Sequence, residues 1–294
     1  MSVAELTAEI AHPTSALLGE GPVWDETTST LLFVDIESDA VHRYDPSSGA
    51  LTSFATGSAV GAVVLRQDGG LVLALVDHFA FGDASGENIE AVPGFVTNAA
   101  EVRFNDGKVD PWGRFVAGTM HWGHVDPIGS LYRLSPGGQV EELLSAVTIS
   151  NGLAWTEDRR SMYYIDTPTS GVDVFDVDPD DGSMTGRRRL ATLDADIHGH
   201  PDGMALDTEG CLWVACYWGS RVCRFTPDGV LDTIVHVPTR CVTSVAFAGS
   251  NLDTMYITSA KTDLSEKERG EDHHAGHLFV VDPGVSGLVS NRFG

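Results

Sequence analysis

The sequence predicts an all-β protein, a six-bladed β-propeller around a central channel, and two repeated patterns carry that prediction. Six stretches that open in the same way recur along the 294 residues. Each stretch then contains a second turn signal at a similar distance. Repeats of roughly 40–50 residues with about four short strands each are typical of β-propellers.

The first repeated pattern is a small residue in front of an apolar run. Its six positions are Gly21, Gly61, Gly107, Gly152, Gly203 and Ser244. The intervals between them are 40, 46, 45, 51 and 41 residues. We predict that the innermost strand of each blade begins near one of these positions.

The second repeated pattern is a turn rich in Pro, Gly, Asp and Ser. It reads YDPSSG, FGDASG, LSPGG, VDPDDG, FTPDG and VDPGVSG in the successive units. Between the two patterns lie runs such as LLFVDI and LWVACY, whose β-branched and aromatic residues predict strands. A barrel or sandwich would not give six equivalent units, so one propeller domain over residues 1–294 is predicted. The early segment VAELTAEI is expected to add an outer strand to the last blade and close the ring.

Composition and charge exclude several classes of partner. The chain has 42 acidic and 18 basic side chains, a formal net charge of −24. A surface this acidic repels phosphate backbones and anionic lipids, so we expect no nucleic acid and no membrane partner. The N-terminus lacks the basic start and apolar run of a secretory signal, and no segment approaches the roughly 20 apolar residues of a membrane helix. We expect a cytoplasmic monomer or weak homodimer with reduced cysteines.

The residue before each repeated position is the most informative part of the pattern. Rotational symmetry places these residues in a ring at one end of the channel. The ring reads Glu20, Val60, Asp106, Asn151, Asp202 and Thr243, and Asn105 lies beside it. Carboxylates at close range repel each other unless a proton or a cation lies between them. An oxygen-only cluster favours one divalent metal ion, Ca²⁺, Mg²⁺ or Mn²⁺, with Zn²⁺ or Fe²⁺ as further candidates.

Strand alternation places two long loops on the same face as this ring. They span residues 119–130 and 260–277 and connect the second and third strands of their blades. Long loops over one face of a rigid scaffold are common binding sites. We therefore expect the functional cavity on this face.

Five ordered stretches of the chain can be compared with a known protein family. They are GEGPVW (19–24), RFNDGKVDPWGRFVAGTM (103–120), ISNGL (149–153), PDGM (201–204) and LWVACYWGSRV (212–222). Together they resemble the senescence marker protein/gluconolactonase family of regucalcin-like lactonases. Its members are six-bladed propellers that bind one divalent metal and hydrolyse sugar lactones. The resemblance implies that Glu20, Asn151 and Asp202 are metal ligands and that Arg103 and Asn105 contact the substrate.

The chain departs from the family pattern after the GTM stretch (118–120). Some members carry acidic residues there that help to bind the sugar, whereas this chain reads HWGHVDP. His121, the first residue of that segment, is the candidate substrate contact in their place. The identity of the sugar therefore does not carry over.

These residues predict a metal-dependent hydrolase that opens sugar lactones of the aldonolactone type. A metal can polarise the carbonyl oxygen and acidify a bound water. Asp202 can bind the metal through one oxygen and accept a proton through the other, which makes it the candidate general base. Two alternatives stay open, a propeller phosphotriesterase or arylesterase and a non-catalytic calcium-binding propeller.

Overall fold

Six sheets surround a central channel in a computed structural model that describes residues 3–294. The first two residues of the predicted domain lie outside this described part. Apart from two N-terminal strands at the outer edges of the last two blades, the strands of each blade follow one another in sequence order from the channel outward and pair antiparallel. The innermost strands of neighbouring blades pack side by side and complete a circle. The predicted six-bladed β-propeller is confirmed.

The first half of the chain builds three blades after two N-terminal strands. The N-terminal strands are β1 (Ala4–Thr7) and β2 (Glu9–His12). The first blade consists of β3 (Gly19–Asp25), β4 (Thr30–Asp35), β5 (Ala40–Asp45) and β6 (Ala50–Ala55). The second consists of β7 (Val60–Leu65), β8 (Leu71–Leu75), β9 (Phe79–Gly82) and β10 (Ile89–Ala91). The third consists of β11 (Val102–Val109), β12 (Phe115–His121), β13 (Gly129–Leu134) and β14 (Val140–Val147).

The second half of the chain builds the other three blades. The fourth consists of β15 (Ser150–Trp155), β16 (Ser161–Asp166), β17 (Gly171–Val177) and β18 (Met184–Thr192). The fifth consists of β19 (His200–Leu206), β20 (Leu212–Tyr217), β21 (Arg221–Phe225) and β22 (Leu231–His236). The sixth contains β23 (Val242–Ala248), β24 (Thr254–Ser259) and β25 (Leu278–Val281).

Helical structure is confined to short segments between strands. They are α1 (Ala195–His198), α2 (Glu266–Glu271) and two 3₁₀ turns, Ile36–Ser38 and Thr167–Thr169. None of the helices within residues 3–294 is long and apolar enough to cross a bilayer.

The N-terminal strands close the ring, as VAELTAEI predicts, but they join two blades rather than one. Strand β2 pairs antiparallel with β25 and completes the sixth blade. Strand β1 pairs parallel with β22 and adds a fifth strand to the fifth blade. Residues 4–12 therefore connect the last two blades.

The hydrophobic core is divided into layers between neighbouring blades. The layer between the first and second blades contains Leu32 and Val34 from one blade and Val63 and Leu73 from the other. Equivalent layers join every other neighbouring pair, including the sixth and first blades. Because burying one such side chain contributes roughly 1.5–3 kcal/mol, these layers fix the blades relative to one another.

Each inner strand contains a β-bulge at the repeated position. Its pairing with the second strand shifts at Glu20/Val23, Val60/Ala62, Phe104/Gly107, Asn151/Leu153, Pro201/Met204 and Val242/Ser244. The inner strands begin near these positions, as predicted, from one residue before Gly61 in β7 to five residues before Gly107 in β11. A bulge re-aims the local side chain without ending the strand. The repeated junction is therefore a bend within each inner strand.

Two of the repeated glycines show why a small residue is needed at the bend. A Cβ on Gly61 would lie 2.5 Å from the backbone oxygen of Asn105 in the next blade. A Cβ on Gly152 would lie 2.7 Å from the backbone oxygen of Asp202, again in the next blade. Neighbouring inner strands thus approach too closely for a side chain at these points.

The C-terminal segment, residues 286–294, crosses the mouth of the channel opposite to the bulges. The backbone N–H of Phe293 donates to the carbonyl of Leu65 (2.8 Å). The Asn291 side chain donates to the carbonyl of Val109 (3.2 Å). Both acceptors lie at the far ends of inner strands. This segment therefore covers one mouth and leaves the functional face to the other.

Gly61→Ala is expected to lower the free energy of unfolding by about 1–3 kcal/mol, the usual cost of forcing extra atoms into a packed interior. The added methyl group meets backbone atoms of the third blade, which cannot rotate away. Urea unfolding of the variant measures the loss. Gly270→Ala is the matched control, since nothing lies within 4 Å of its Cβ position. Equal stability of both variants would contradict the close-approach explanation.

Candidate active site

A cavity of about 490 Å³ opens at the end of the channel where the inner strands begin. Five of the six predicted site residues line it, and their side chains are buried. They are Glu20, Arg103, Asn105, Asn151 and Asp202. The structure therefore brings together residues from four different blades.

A second cavity, also of about 490 Å³, lies beneath the C-terminal segment at the opposite mouth. Its walls are mainly apolar side chains of the inner strands, such as Leu206 and Phe247. Its lining includes one carboxylate, that of Glu157. The side chains that the sequence predicts to be functional therefore line the first cavity and not the second.

A chain of hydrogen bonds orders the polar side chains of the third and fourth blades. Arg103 Nη1 donates to Asn105 Oδ1 (2.6 Å), and Asn105 Nδ2 donates to Asn151 Oδ1 (2.8 Å). Asn151 Nδ2 donates to Thr167 Oγ1 (2.7 Å), whose hydroxyl donates to the carbonyl of Pro201 (2.9 Å). This direction of donation fixes both amide groups. Since an amide oxygen has two lone pairs, Asn151 Oδ1 can accept from Asn105 and still bind a second group.

Three buried carboxylates, those of Glu20, Asp106 and Asp202, occupy equivalent positions of three inner strands. Glu20 Oε2 accepts the N–H of Gly21 (2.9 Å), and Asp106 Oδ1 accepts the N–H of Gly107 (2.7 Å). Asp202 accepts the N–H of the glycine that follows it in the same way. The bulge therefore positions each carboxylate through a local hydrogen bond.

The shared burial of these carboxylates raises their proton affinity. Burial, followed by the charge of Asp106, raises the pKa of Glu20 to about 8. Burial, followed by the charges of Glu20 and Asp106, raises the pKa of Asp202 well above its usual value. The neighbouring backbone N–H groups and the Arg103 guanidinium act in the opposite direction. A cation between Glu20 and Asp202 would offset both the lost hydration and the repulsion.

Asp106 has a basic neighbour, Lys108, that the repeated pattern does not mark. Lys108 lies two residues later on the same strand, and its Nζ donates to the carbonyl of Met204 (2.7 Å). Burial lowers the pKa of Lys108, while the charge of Asp106 raises it. Burial raises the pKa of Asp106, and Lys108 acts against that rise. The two-residue interval of strand alternation is the sequence signal that could have identified Lys108.

The donor set of the cavity fits a hard divalent cation. Glu20 and Asp202 offer carboxylate oxygens, and Asn151 offers an amide oxygen already oriented by its hydrogen bonds. Oxygen donors of this kind suit Ca²⁺, Mg²⁺ and Mn²⁺ better than the softer ions that prefer sulfur. The raised pKa values of the two carboxylates show that their negative charges are poorly compensated, and such a cation would compensate them.

Another acidic group, formed by Asp207, Glu209 and Cys211, also has ligand atoms close enough to hold a metal. Its carboxylates already have a cationic partner. Arg224 Nη2 lies 2.7 Å from Asp207 and 2.5 Å from Glu209, and Trp213 Nε1 also donates to Asp207 (2.9 Å). Because Arg224 takes the place of a cation, we interpret this group as an ion-pair network of the fifth blade.

His121 is not among the residues that line the cavity, and its role as a substrate contact stays a prediction. The backbone N–H of Asp126, in the same loop, donates to His121 Nδ1 (3.3 Å). Trp122 and His124 line the cavity instead. The Arg103 guanidinium lies over the Trp122 ring, 5.7 Å from its centroid. The part of this loop that lines the cavity is therefore formed by the neighbours of His121.

Both predicted loops border the cavity. Trp122 and His124 come from the loop at 119–130, and Thr262 and Asp263 come from the loop at 260–277. The prediction that these loops share the face of the ring is confirmed. Glu37 lines the cavity as well, from the 3₁₀ turn after β4.

Comparison with known proteins identifies the family of this chain. The family profile described as the SMP-30/Gluconolactonase/LRE-like region matches residues 18–261. The chain belongs to the SMP-30/gluconolactonase family. The resemblance seen in the five sequence stretches is thereby confirmed.

Individual SMP-30/gluconolactonase proteins match this chain over nearly its whole length. Regucalcin of Xenopus laevis is 39% identical over 284 residues, which cover 94% of each chain. The 6-deoxy-6-sulfogluconolactonase of Pseudomonas putida is 36% identical over 278 residues, which cover 95% of each chain. A solved calcium-binding protein, regucalcin from Agrobacterium tumefaciens, has a TM-score of 0.93 and 25% identity, covering 100% of this chain and 99% of that one.

The affinity for a divalent cation is expected to rise with pH up to about 8. A protonated Glu20 cannot ligate, and its pKa of about 8 means that a cation must displace protons below that pH. Calorimetric titration with Ca²⁺ at several pH values, in buffers of different ionisation enthalpy, measures affinity and proton release together. Glu20→Gln should weaken binding and reduce the proton release to the share that comes from Asp202. An affinity independent of pH, without proton release, would contradict this interpretation.

Proposed function

We propose that this protein is a metal-dependent lactonase that opens sugar lactones in the cavity at the bulged ends of the inner strands. The observation that carries this proposal is the placement of two buried carboxylates, Glu20 and Asp202, beside the ordered amide of Asn151. The name of the 6-deoxy-6-sulfogluconolactonase relative supports a substrate of the aldonolactone class. The other lining residues then have roles that follow from their contacts.

Glu20, Asn151 and Asp202 would hold the cation. Their oxygen donors favour Ca²⁺, Mg²⁺ or Mn²⁺, and the calcium-binding description of the structural neighbour supports Ca²⁺ among these. When bound, a divalent cation supplies Lewis-acid polarisation of the lactone carbonyl.

Arg103 and Asn105 bind and orient the substrate in this proposal. Arg103 Nη1 donates to Asn105 Oδ1 and to the carbonyl of Phe104 (3.0 Å), so the guanidinium has a fixed plane. A guanidinium has five N–H donors, which leaves several for lactone oxygens in the cavity. Holding the lactone ring in one orientation lets a positioned water attack its carbonyl carbon without a further loss of rotational freedom.

Asp202 accepts a proton from the attacking water. A carboxylate has about four acceptor positions, so Asp202 can hold the cation through one oxygen and take this proton on the other. After the ring C–O bond breaks, the same group can return a proton to the departing alkoxide. The products are a hydroxyl group and a carboxylate on one open chain.

A substrate panel distinguishes this proposal from its alternatives. Purified protein is assayed on glucono-1,5-lactone and other aldonolactones, phenyl acetate and paraoxon, with added Ca²⁺, Mg²⁺ or Mn²⁺ or with chelator. Cation-dependent opening of lactones well above the rates on the two esters supports the lactonase. Faster turnover of phenyl acetate or paraoxon favours the arylesterase or phosphotriesterase, and Ca²⁺ binding without any turnover favours the non-catalytic propeller.

Asp202→Asn is expected to lower kcat by about 10²–10⁴-fold, the usual contribution of a positioned base, while retaining much of the bound cation. The amide oxygen can still ligate, but the amide cannot accept the proton from water. Cation content and lactone kinetics are measured on the same preparation, with the exposed Asp228→Asn as the charge-matched control. If cation-loaded Asp202→Asn works at the wild-type rate, the general-base role is wrong.

Arg103→Met and Asn105→Ala are expected to leave cation binding largely intact and to lower kcat/KM for the lactone. Loss of a charged hydrogen-bond donor corresponds to about 10–100-fold in kcat/KM, and loss of a neutral one to about 2–10-fold. A contact that is equal in the ground and transition states appears in KM, whereas one made only in the transition state appears in kcat. Loss of the cation from both variants would contradict the assignment of these residues to the substrate.

A further inference from the structure

Two carboxylates that the proposed mechanism does not use stand at the outer wall of the cavity. Glu37 comes from the turn after β4, and Asp263 comes from the loop at 260–277. Both are exposed at the mouth, in contrast to the buried carboxylates at the channel. The hydroxyl of Thr262 donates to Glu37, so the loop and the first blade are joined at this point. We call Glu37 and Asp263 the acidic rim.

The acidic rim is held in place by the structure around it. The Tyr217 hydroxyl donates to Asp263 Oδ2 (2.8 Å). The loop that carries Asp263 is anchored by Arg269, which donates to the carbonyls of Lys261 (3.2 Å) and Thr262 (3.1 Å). Helix α2 follows with a capping box between Ser265 and Glu268. A charge fixed in this way acts on every molecule that enters.

The negative charges of the rim act across the cavity on Arg103. Burial lowers the pKa of Arg103 to about 10, while Glu20, Glu37, Asp202 and Asp263 all act to raise it. Two of these four charges therefore belong to the rim. The same two carboxylates also counteract the effect of burial on the pKa of His124, on the facing loop. The rim thus makes the electrostatic potential at the cavity entrance negative, although the Arg103 guanidinium lies on the inner wall of the cavity.

The reaction changes the charge of its ligand. A lactone without ionic substituents is neutral, and water adds across its C–O bond to give a hydroxy acid. At neutral pH this acid ionises to a carboxylate and a released proton. Substrate and product thus differ by one negative charge, and a fixed negative charge at the mouth distinguishes between them.

We propose that Glu37 and Asp263 select uncharged polyhydroxy lactones and promote release of the anionic hydroxy-acid product. This inference rests on the proposed lactonase function and names its substrate class. Tyr217 and Thr262 each use one acceptor position of the rim, and a carboxylate has about four. The remaining positions accept hydrogen bonds from hydroxyl groups of a neutral sugar. An additional carboxylate or sulfonate on the lactone meets repulsion instead.

The test compares Glu37→Gln, Asp263→Asn and the double variant with the wild-type enzyme. The amides retain the acceptor oxygens for Thr262 and Tyr217 but remove the charge. The Ki of D-gluconate as a product inhibitor should fall about threefold for each charge removed, the effect of one charge at roughly 7 Å in water. The kcat/KM ratio of D-glucaro-1,4-lactone to glucono-1,5-lactone should rise by a similar factor. Both effects should shrink at about 1 M salt, where charges at this distance are screened.

Calorimetric titration of cation-loaded protein with D-gluconate measures the same shift without turnover. Glu266→Gln and Asp39→Asn are the matched controls, since these exposed carboxylates lie near the rim residues in sequence but outside the cavity lining. Glu37→Gln lies outside the loop, so it gives the result even if Asp263→Asn disturbs that loop.

An active wild-type enzyme whose double variant keeps the same Ki and the same substrate ratio at low salt would overturn the rim proposal alone. Equal shifts in the control variants would overturn it as well, because the effect would then be one of overall charge. A wild-type protein that opens no lactone under any cation condition would instead overturn the proposed function.

Discussion

The close approach of six inner strands around one channel is the constraint on which the rest of the structure depends. Where these strands bend, the backbones of neighbouring blades leave no space for a Cβ at Gly61 and Gly152. The bend interrupts strand pairing and turns the preceding polar side chain toward the channel. Packing geometry and site geometry are thus set by the same residues. A looser ring would hold the blades but would not hold Asn105, Asn151 and Asp202 within contact distance of their partners.

Concentrating carboxylates at this point has an electrostatic cost, which the surrounding residues limit. Glu20, Asp106 and Asp202 are buried, and each accepts the backbone N–H of the next residue. Glu20 and Asp202 act on the positive charge of Arg103, and Asp106 acts on that of Lys108. These N–H and basic groups do not fully compensate the burial and mutual repulsion of the carboxylates, and the pKa values of Glu20 and Asp202 stay raised. In the proposed function a bound cation would offset that repulsion.

The sequence was most informative where rotational symmetry repeats a feature. The spacing of the small residues predicted six blades, and the polar residue before each of them predicted which side chains meet at the channel. Symmetry could not locate the first residue of each strand, because the marker is a bend inside the strand rather than its beginning.

Symmetry also could not predict which loop residues reach the cavity, since each loop belongs to one blade only. In the loop at 119–130, strand alternation ends after β12, and His124 has a left-handed backbone (φ 61°) that no neighbour predicts. The sequence therefore did not predict which residues of this loop, Trp122 and His124, line the cavity. Glu37 and Asp263 are far apart in the chain, and only the folded ring makes them neighbours of one opening. Lys108 alone among the missed residues had a local signal, its position two residues after Asp106.

The pairing of β2 with β25 has a consequence for how the protein is made. The sixth blade needs residues 9–12 and 278–281 at the same time, so its sheet is incomplete until almost the whole chain has been synthesised. At roughly 5–20 residues per second, a ribosome takes roughly 15–60 seconds to make 294 residues. During that time the N-terminal strands have no partner, and the open edges of the growing sheet are exposed to other chains. The sixth blade can therefore close only after residue 281 has been made.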